Sequence, residues 1–200
     1  MNLAEFALMV FFISLSGVMA PGPLFASAVS EGMNKKYAGF LLSSGHAIVE
    51  IPIILILFFF GVSIITEQVK VFVGVFGGIF LIYMAHKELT SKSKLDGSTD
   101  MRSIFTGLAM SIANPYFIIW WFTIGLILVT TAEKFGIMGL IVFIIVHELC
   151  DFGWLGFVSL ISSKTVEVWD KSAKTLSTIS AIIFVIFGIY FIYSGISTIV

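Results

Sequence analysis

Long apolar runs, separated by short polar stretches, set the pattern of this chain. Six of them approach or exceed the roughly 20 residues that cross a bilayer as a helix. They lie at about Phe6–Val29, Tyr37–Gly61, Val69–Ala85, Ile104–Thr130, Phe135–Ile161 and Leu176–Thr198. The third is short, with Lys70 at its edge, where a lysine stem can snorkel to the interface. Alternating ten-residue segments, the mark of a membrane barrel, are absent. The pattern predicts an all-α integral membrane protein with six transmembrane helices.

Composition agrees. Of the 200 residues, 58% are hydrophobic and 12% charged, and the mean hydropathy is +1.09. Soluble domains carry about 25% charged residues. A net charge of -1 without a dense basic run excludes nucleic acid as an expected partner. The lone Cys150 cannot form an intrachain disulfide. The first run could pass for a signal peptide cut after Val18-Met19-Ala20, but Pro21 would follow the cut and no basic residue precedes Lys35. It reads as a retained span.

Charge placement predicts an orientation. Lys35 and Lys36 follow the first run, Lys87, Lys92, Lys94 and Arg102 the third, and Lys164, Lys171 and Lys174 the fifth. Only Lys70 and Lys134 lie on the other side. The positive-inside rule then makes those three loops cytoplasmic and puts both termini outside the cytoplasmic membrane.

The two halves resemble each other. Residues 1–85 and 104–200 each hold three runs, joined by a polar linker over 86–103. His46-Ala-Ile-Val-Glu50 in the second run corresponds to His147-Glu-Leu-Cys-Asp151 in the fifth, and Gly77-Gly78 to Phe187-Gly188. Pro21 in the first corresponds to Pro115 in the fourth. Because three is odd, the second unit crosses in the opposite sense. The expected architecture is therefore two inverted three-helix repeats, as in secondary transporters.

Prolines mark where backbone groups are freed. In a continuous helix Pro21, Pro23 and Pro115 would leave the carbonyls of Gly17, Met19 and Ser111 without donors. Gly22 lets the chain turn, and Asn114 can cap the helix that follows. Matching breaks in two halves point to a binding site at the membrane midplane. A half-helix N-terminus suits a carboxylate and freed carbonyls suit an ammonium group, so a zwitterionic amino acid fits both. The plainer alternative is a pair of proline kinks filled by neighbouring helices.

His46 and Glu50 share a helix face, with Ser43 one turn earlier and Pro52 just after. His147 and Asp151 repeat the pair, and Trp154 continues that face. An acid at the centre of a spanning helix costs about 2.5–3.5 kcal/mol on insertion scales, so it normally faces a cavity or a partner. A histidine beside an acid can load and release a proton near neutral pH. The plainer alternative is that each histidine only neutralises its own acid. Glu148 lies about 100° around the helix and ranks lower. Gly74, Gly77 and Gly78 suit close helix packing, within the chain or in a homodimer. Trp120, Trp121, Tyr190 and Tyr193 read as core or interfacial aromatics.

Ala20-Pro21-Gly22-Pro23, Asn114-Pro115 and Leu81-Ile-Tyr83 leading to Lys87 resemble the LysE (lysine exporter) family, which includes homoserine/threonine exporters. The resemblance implies a six-helix amino-acid exporter driven by a proton or ion gradient. The chain departs from it at Tyr116, where a lysine often follows Asn-Pro.

The leading expectation is proton-coupled export of an amino acid or a derivative. Its pathway would include Pro21, Gly22, Pro23, His46, Glu50, Asn114, Pro115, His147 and Asp151. The partners would be the solute, a coupling ion and the lipid bilayer. No cofactor, resident metal or enzymatic activity is expected. Two imidazoles and two carboxylates also suit a divalent ion, which keeps open a metal or inorganic-ion exporter. An intramembrane metalloprotease is remote. His147-Glu148-Leu-Cys-Asp151 has aspartate where such a motif has its second histidine, and no clear third ligand follows in the fifth or sixth run. A non-transporting scaffold would leave the repeated acids unexplained.

Overall fold

Asn2 opens the first helix with a reciprocal cap. Its Oδ1 accepts from the amide of Glu5 at 2.9 Å, and a Glu5 carboxylate oxygen accepts from the amide of Asn2 at 3.0 Å. The computed structural model describes residues 1–19, 22–60, 67–90, 99–168 and 172–197, and every element among them is helical. Helix α1 spans Leu3–Val18 and α2 spans Pro23–Gly32, with Gly22 extended between them. The first apolar run is therefore two helices. Pro21, expected at this break, lies outside the described residues. Pro23 opens α2, where its missing N–H leaves no helical bond unmade.

Helix α3 (Ala38–Phe60) runs through Pro52 without interruption, and α4 covers Glu67–Thr90. Thr99 caps α5 (Asp100–Ile112) by accepting from the amide of Arg102 at 3.4 Å. The linker expected over 86–103 is thus helical at both ends, because polar residues extend each helix past its apolar portion. Lys92 and Lys94 fall outside the described residues.

The fourth run is broken as well. After α5 the chain leaves the helix at Ala113–Asn114 and resumes as α6 (Pro115–Trp120). A π turn (Trp121–Gly125) and α7 (Leu126–Glu133) follow. Gly136, with φ of 59°, turns the chain into α8 (Gly136–Val168). That positive φ suits a residue without a Cβ. At 33 residues α8 is about 50 Å long, more than a bilayer core requires. Helix α9 covers Ser172–Ser197. Ala38–Phe60 and Gly136–Thr165 are each long and apolar enough to cross a membrane unbroken.

Glycines set the closest approaches. Gly39 of α3 rests on the carbonyl of Leu155 in α8, and Gly45 of α3 on that of Ile104 in α5, leaving no room for a Cβ at either place. Gly78 and Gly188 face each other where α4 packs on α9. Of the glycines expected to serve packing, Gly78 makes its close approach within the chain.

Three apolar clusters follow. The largest joins Phe6 and Val10 of α1, Ile54 and Leu57 of α3, Trp121, Leu128 of α7 and Phe143 of α8. A second joins Ala26, Leu81, Met110, Phe184 and Phe191. The third, Ala28, Val29, Leu42, Leu155 and Val158, seats α2 against α3 and α8. The outward faces stay apolar, with Phe12, Phe59, Ile127 and Leu149 each more than half exposed. Such a surface is suited to lipid.

Candidate functional site

Helix periodicity puts His46 and Glu50 one turn apart on α3, and His147 and Asp151 likewise on α8. The two helices run in opposite directions, since Gly39 meets Leu155 while Ser43 Oγ donates to the backbone oxygen of Asp151 at 3.2 Å. This brings the two pairs together. His46 Nε2 lies 3.1 Å from Glu50 Oε1 and 3.7 Å from Asp151 Oδ1. His147 Nε2 lies 3.2 Å from Glu50 Oε1 and 3.6 Å from Asp151 Oδ2. The acids are thus shared across the helix pair, in a ring that alternates imidazole and carboxylate. None of the four is more than 6% exposed.

The broken runs supply the next layer. Ser14 Oγ of α1 is 2.6 Å from His147 Nδ1, and Ser111 Oγ of α5 is 2.6 Å from His46 Nδ1. Each histidine is held by a serine from the other half of the sequence. Ser111 Oγ also donates to the backbone oxygen of Gly107 at 2.7 Å. Trp121 Nε1 donates to Glu50 Oε1 at 3.2 Å. Aromatic rings close the sides. Trp120 stacks on His147 with centroids 5.4 Å apart, and Phe117 meets His46 edge-on at 5.0 Å. Rings of this kind stabilise a cationic imidazole.

The ring of four forms one wall of a cavity of about 230 Å³. Gly22 and Pro23 at the start of α2, Asn114 before α6, and Trp120 and Trp121 line the rest with Ser14 and Phe117. Both helix breaks therefore open on the space that the buried acids face.

The LysE type translocator family matches residues 15–195. The chain belongs to that family. Neither a curated protein nor a solved structure matches it. LysE membership makes this an integral membrane translocator, consistent with its apolar helices and with the resemblance carried by its motifs.

Of the nine candidate residues, the structure gathers Gly22, Pro23, His46, Glu50, Asn114, His147 and Asp151 on one cavity. Pro115 opens α6 directly after Asn114. Trp154 does not continue this wall; it stacks on Phe25, with ring centroids 6.5 Å apart. Glu148 is also off the wall, and its oxygens have no hydrogen-bond partner among the described residues. Ser14, Ser111 and Trp121 were missed as site residues. The two tryptophans are buried as expected, but beside the histidines. Proximity to the Asn114-Pro115 break was the one available signal for Ser111 and Trp121.

Proposed function

We propose that this LysE-family chain is a secondary-active exporter of an amino acid or amino-acid derivative, coupled to protons and working by alternating access. The observation that carries the reading is the shared ring of His46, Glu50, His147 and Asp151 on a cavity that both helix breaks also reach. Helix α2 begins at that cavity without a side-chain cap, so its partial positive charge is available to a substrate carboxylate. The substrate ammonium would then face the ring acids. At about 230 Å³ the space is below the roughly 300–1,000 Å³ of pockets for drug-sized ligands and suits a small solute.

The same reading takes residues 1–85 and 104–200 as inverted repeats. Its support is the antiparallel run of α3 against α8 and the exchange of serines, Ser14 to His147 and Ser111 to His46. The orientation follows the basic loops, with both termini outside the cytoplasmic membrane. Inward proton movement would protonate the ring, weaken its hold on the cationic end of the substrate and reset it for another cycle.

Efflux from preloaded membrane vesicles tests the proposal. Glu50→Gln and Asp151→Asn should each abolish export of the responding amino acid at unchanged protein level. Export at the wild-type rate in both variants removes the ring from the coupling mechanism.

A further inference from the structure

We propose that His46, Glu50 and Asp151, within the ring they form with His147, are a binding site for one divalent transition-metal ion of the Zn²⁺ class.

The geometry comes first. Zinc–nitrogen and zinc–oxygen bonds are about 2.0–2.2 Å, so two donors on one ion are separated by about 3.0–3.7 Å for angles of roughly 90–125°. The four imidazole–carboxylate separations in the ring are 3.1, 3.7, 3.2 and 3.6 Å. Donor atoms of His46, Glu50 and Asp151 all lie within 4.8 Å of one another, and His147 Nε2 reaches both acids from the other side. His46, Glu50 and Asp151 supply the donors, and His147 stands beside both acids outside that set.

Hydrogen bonding then sets the donor state. Where Ser111 donates to the backbone oxygen of Gly107, its oxygen accepts from His46 Nδ1, which then carries the ring proton. In a neutral ring Nε2 then holds a lone pair, and it points at Glu50 Oε1 from 3.1 Å. Two acceptors face each other across that gap unless a proton or a metal cation lies between them. A serine on the outer nitrogen is also the kind of support that orients metal-binding histidines.

Two carboxylate oxygens of the ring, Glu50 Oε2 and Asp151 Oδ2, are buried and lack a hydrogen bond among the described residues. Such atoms are costly in a protein interior and point to a missing partner. Charge closes the argument. Two carboxylates carry -2, which either two imidazolium protons or one divalent ion neutralises. Imidazole donors disfavour Mg²⁺ and Ca²⁺ and suit Zn²⁺, Co²⁺ or Ni²⁺.

The ion-binding claim stands apart from the transport reading. Only its consequence, that Zn²⁺ excludes the two protons and arrests proton-coupled export, rests on that reading. The test uses the full chain purified in detergent and stripped of metal. Zn²⁺ should raise the thermal midpoint, Mg²⁺ should leave it unmoved, and Co²⁺ should give visible d–d bands. His46→Asn and Glu50→Gln should abolish these effects, and Ser111→Ala should weaken Zn²⁺ binding about 10- to 100-fold. Folded protein with no Zn²⁺ shift and no Co²⁺ bands overturns the site, as does Zn²⁺ affinity that survives both ligand variants. If Glu50→Gln does not fold, unchanged affinity in both His46→Asn and Ser111→Ala overturns it. Amino-acid efflux measured in chelator separates the two claims. Zn²⁺ binding without any efflux sinks the transport reading alone, and efflux without Zn²⁺ binding sinks the metal site alone.

Discussion

Ser14 and His147, 133 positions apart in sequence, approach to 2.6 Å at Oγ and Nδ1. This contact ties α1 to α8 beside the break that follows α1, and it aims the far nitrogen of the imidazole at Glu50 and Asp151. Ser14→Ala leaves that Nδ1 without its buried partner, which costs about 1–3 kcal/mol. The variant should unfold at lower denaturant concentration and export more slowly, while Ser14→Thr should keep much of both properties. Equal stability of the alanine variant and wild type would remove the orienting role.

Trp121 both fills space and donates to Glu50, and two substitutions separate those roles. Trp121→Phe removes the donor and retains most of the ring, for an expected loss of about 1.5–3 kcal/mol. Trp121→Ala also empties the core, for about 3–5 kcal/mol. Unfolding curves giving the same value for both would assign the residue to a single role.

Two glycines of the same membrane-spanning pair should respond differently to alanine. A Cβ at Gly39 meets the backbone of Leu155, whereas one at Gly153 meets nothing within 4 Å. Gly39→Ala should destabilise by about 1–3 kcal/mol. Gly153→Ala should be neutral or stabilise by up to about 1 kcal/mol through helix propensity. Thermal melts of the two variants side by side decide it.

Lys35 Nζ pairs with Asp100 Oδ1 at 2.6 Å, but Asp100 is 78% exposed. Solvent screening limits such a pair to at most about 1 kcal/mol. Asp100→Asn should therefore change stability by no more than that, with the difference shrinking in high salt. Removing Glu50 should cost more and respond little to salt, because its partners are buried. A large, salt-independent effect at Asp100 would contradict the assignment.

Much of this arrangement was legible in the sequence. Length and hydropathy were enough for the apolar helices, and proline chemistry for the breaks before Pro23 and Pro115. The spacing of four residues put each histidine on a face with its acid. What spacing could not show was that the pairs would share their acids, because that depends on how α3 and α8 slide past each other. Ser14 and Ser111 sit in apolar stretches and find their partners only in the fold. The π turn at Trp121 was likewise invisible, since tertiary packing rather than local propensity sustains an extra residue in a helical turn. At the polar linker, charged residues continue α4 and begin α5, which hydropathy alone does not distinguish from a loop.

That π turn also changes how neighbouring positions must be compared between related chains. Each residue advances an ordinary helix by about 100°, so a homologue lacking the insertion between Trp121 and Gly125 would rotate the face of α7 relative to α6 by that amount. Aligned by hydropathy alone, the two chains would look interchangeable. In space, Leu128 and Val129 would swing away from the cluster they now complete, and an alignment gap of one residue there would mark a differently shaped chamber.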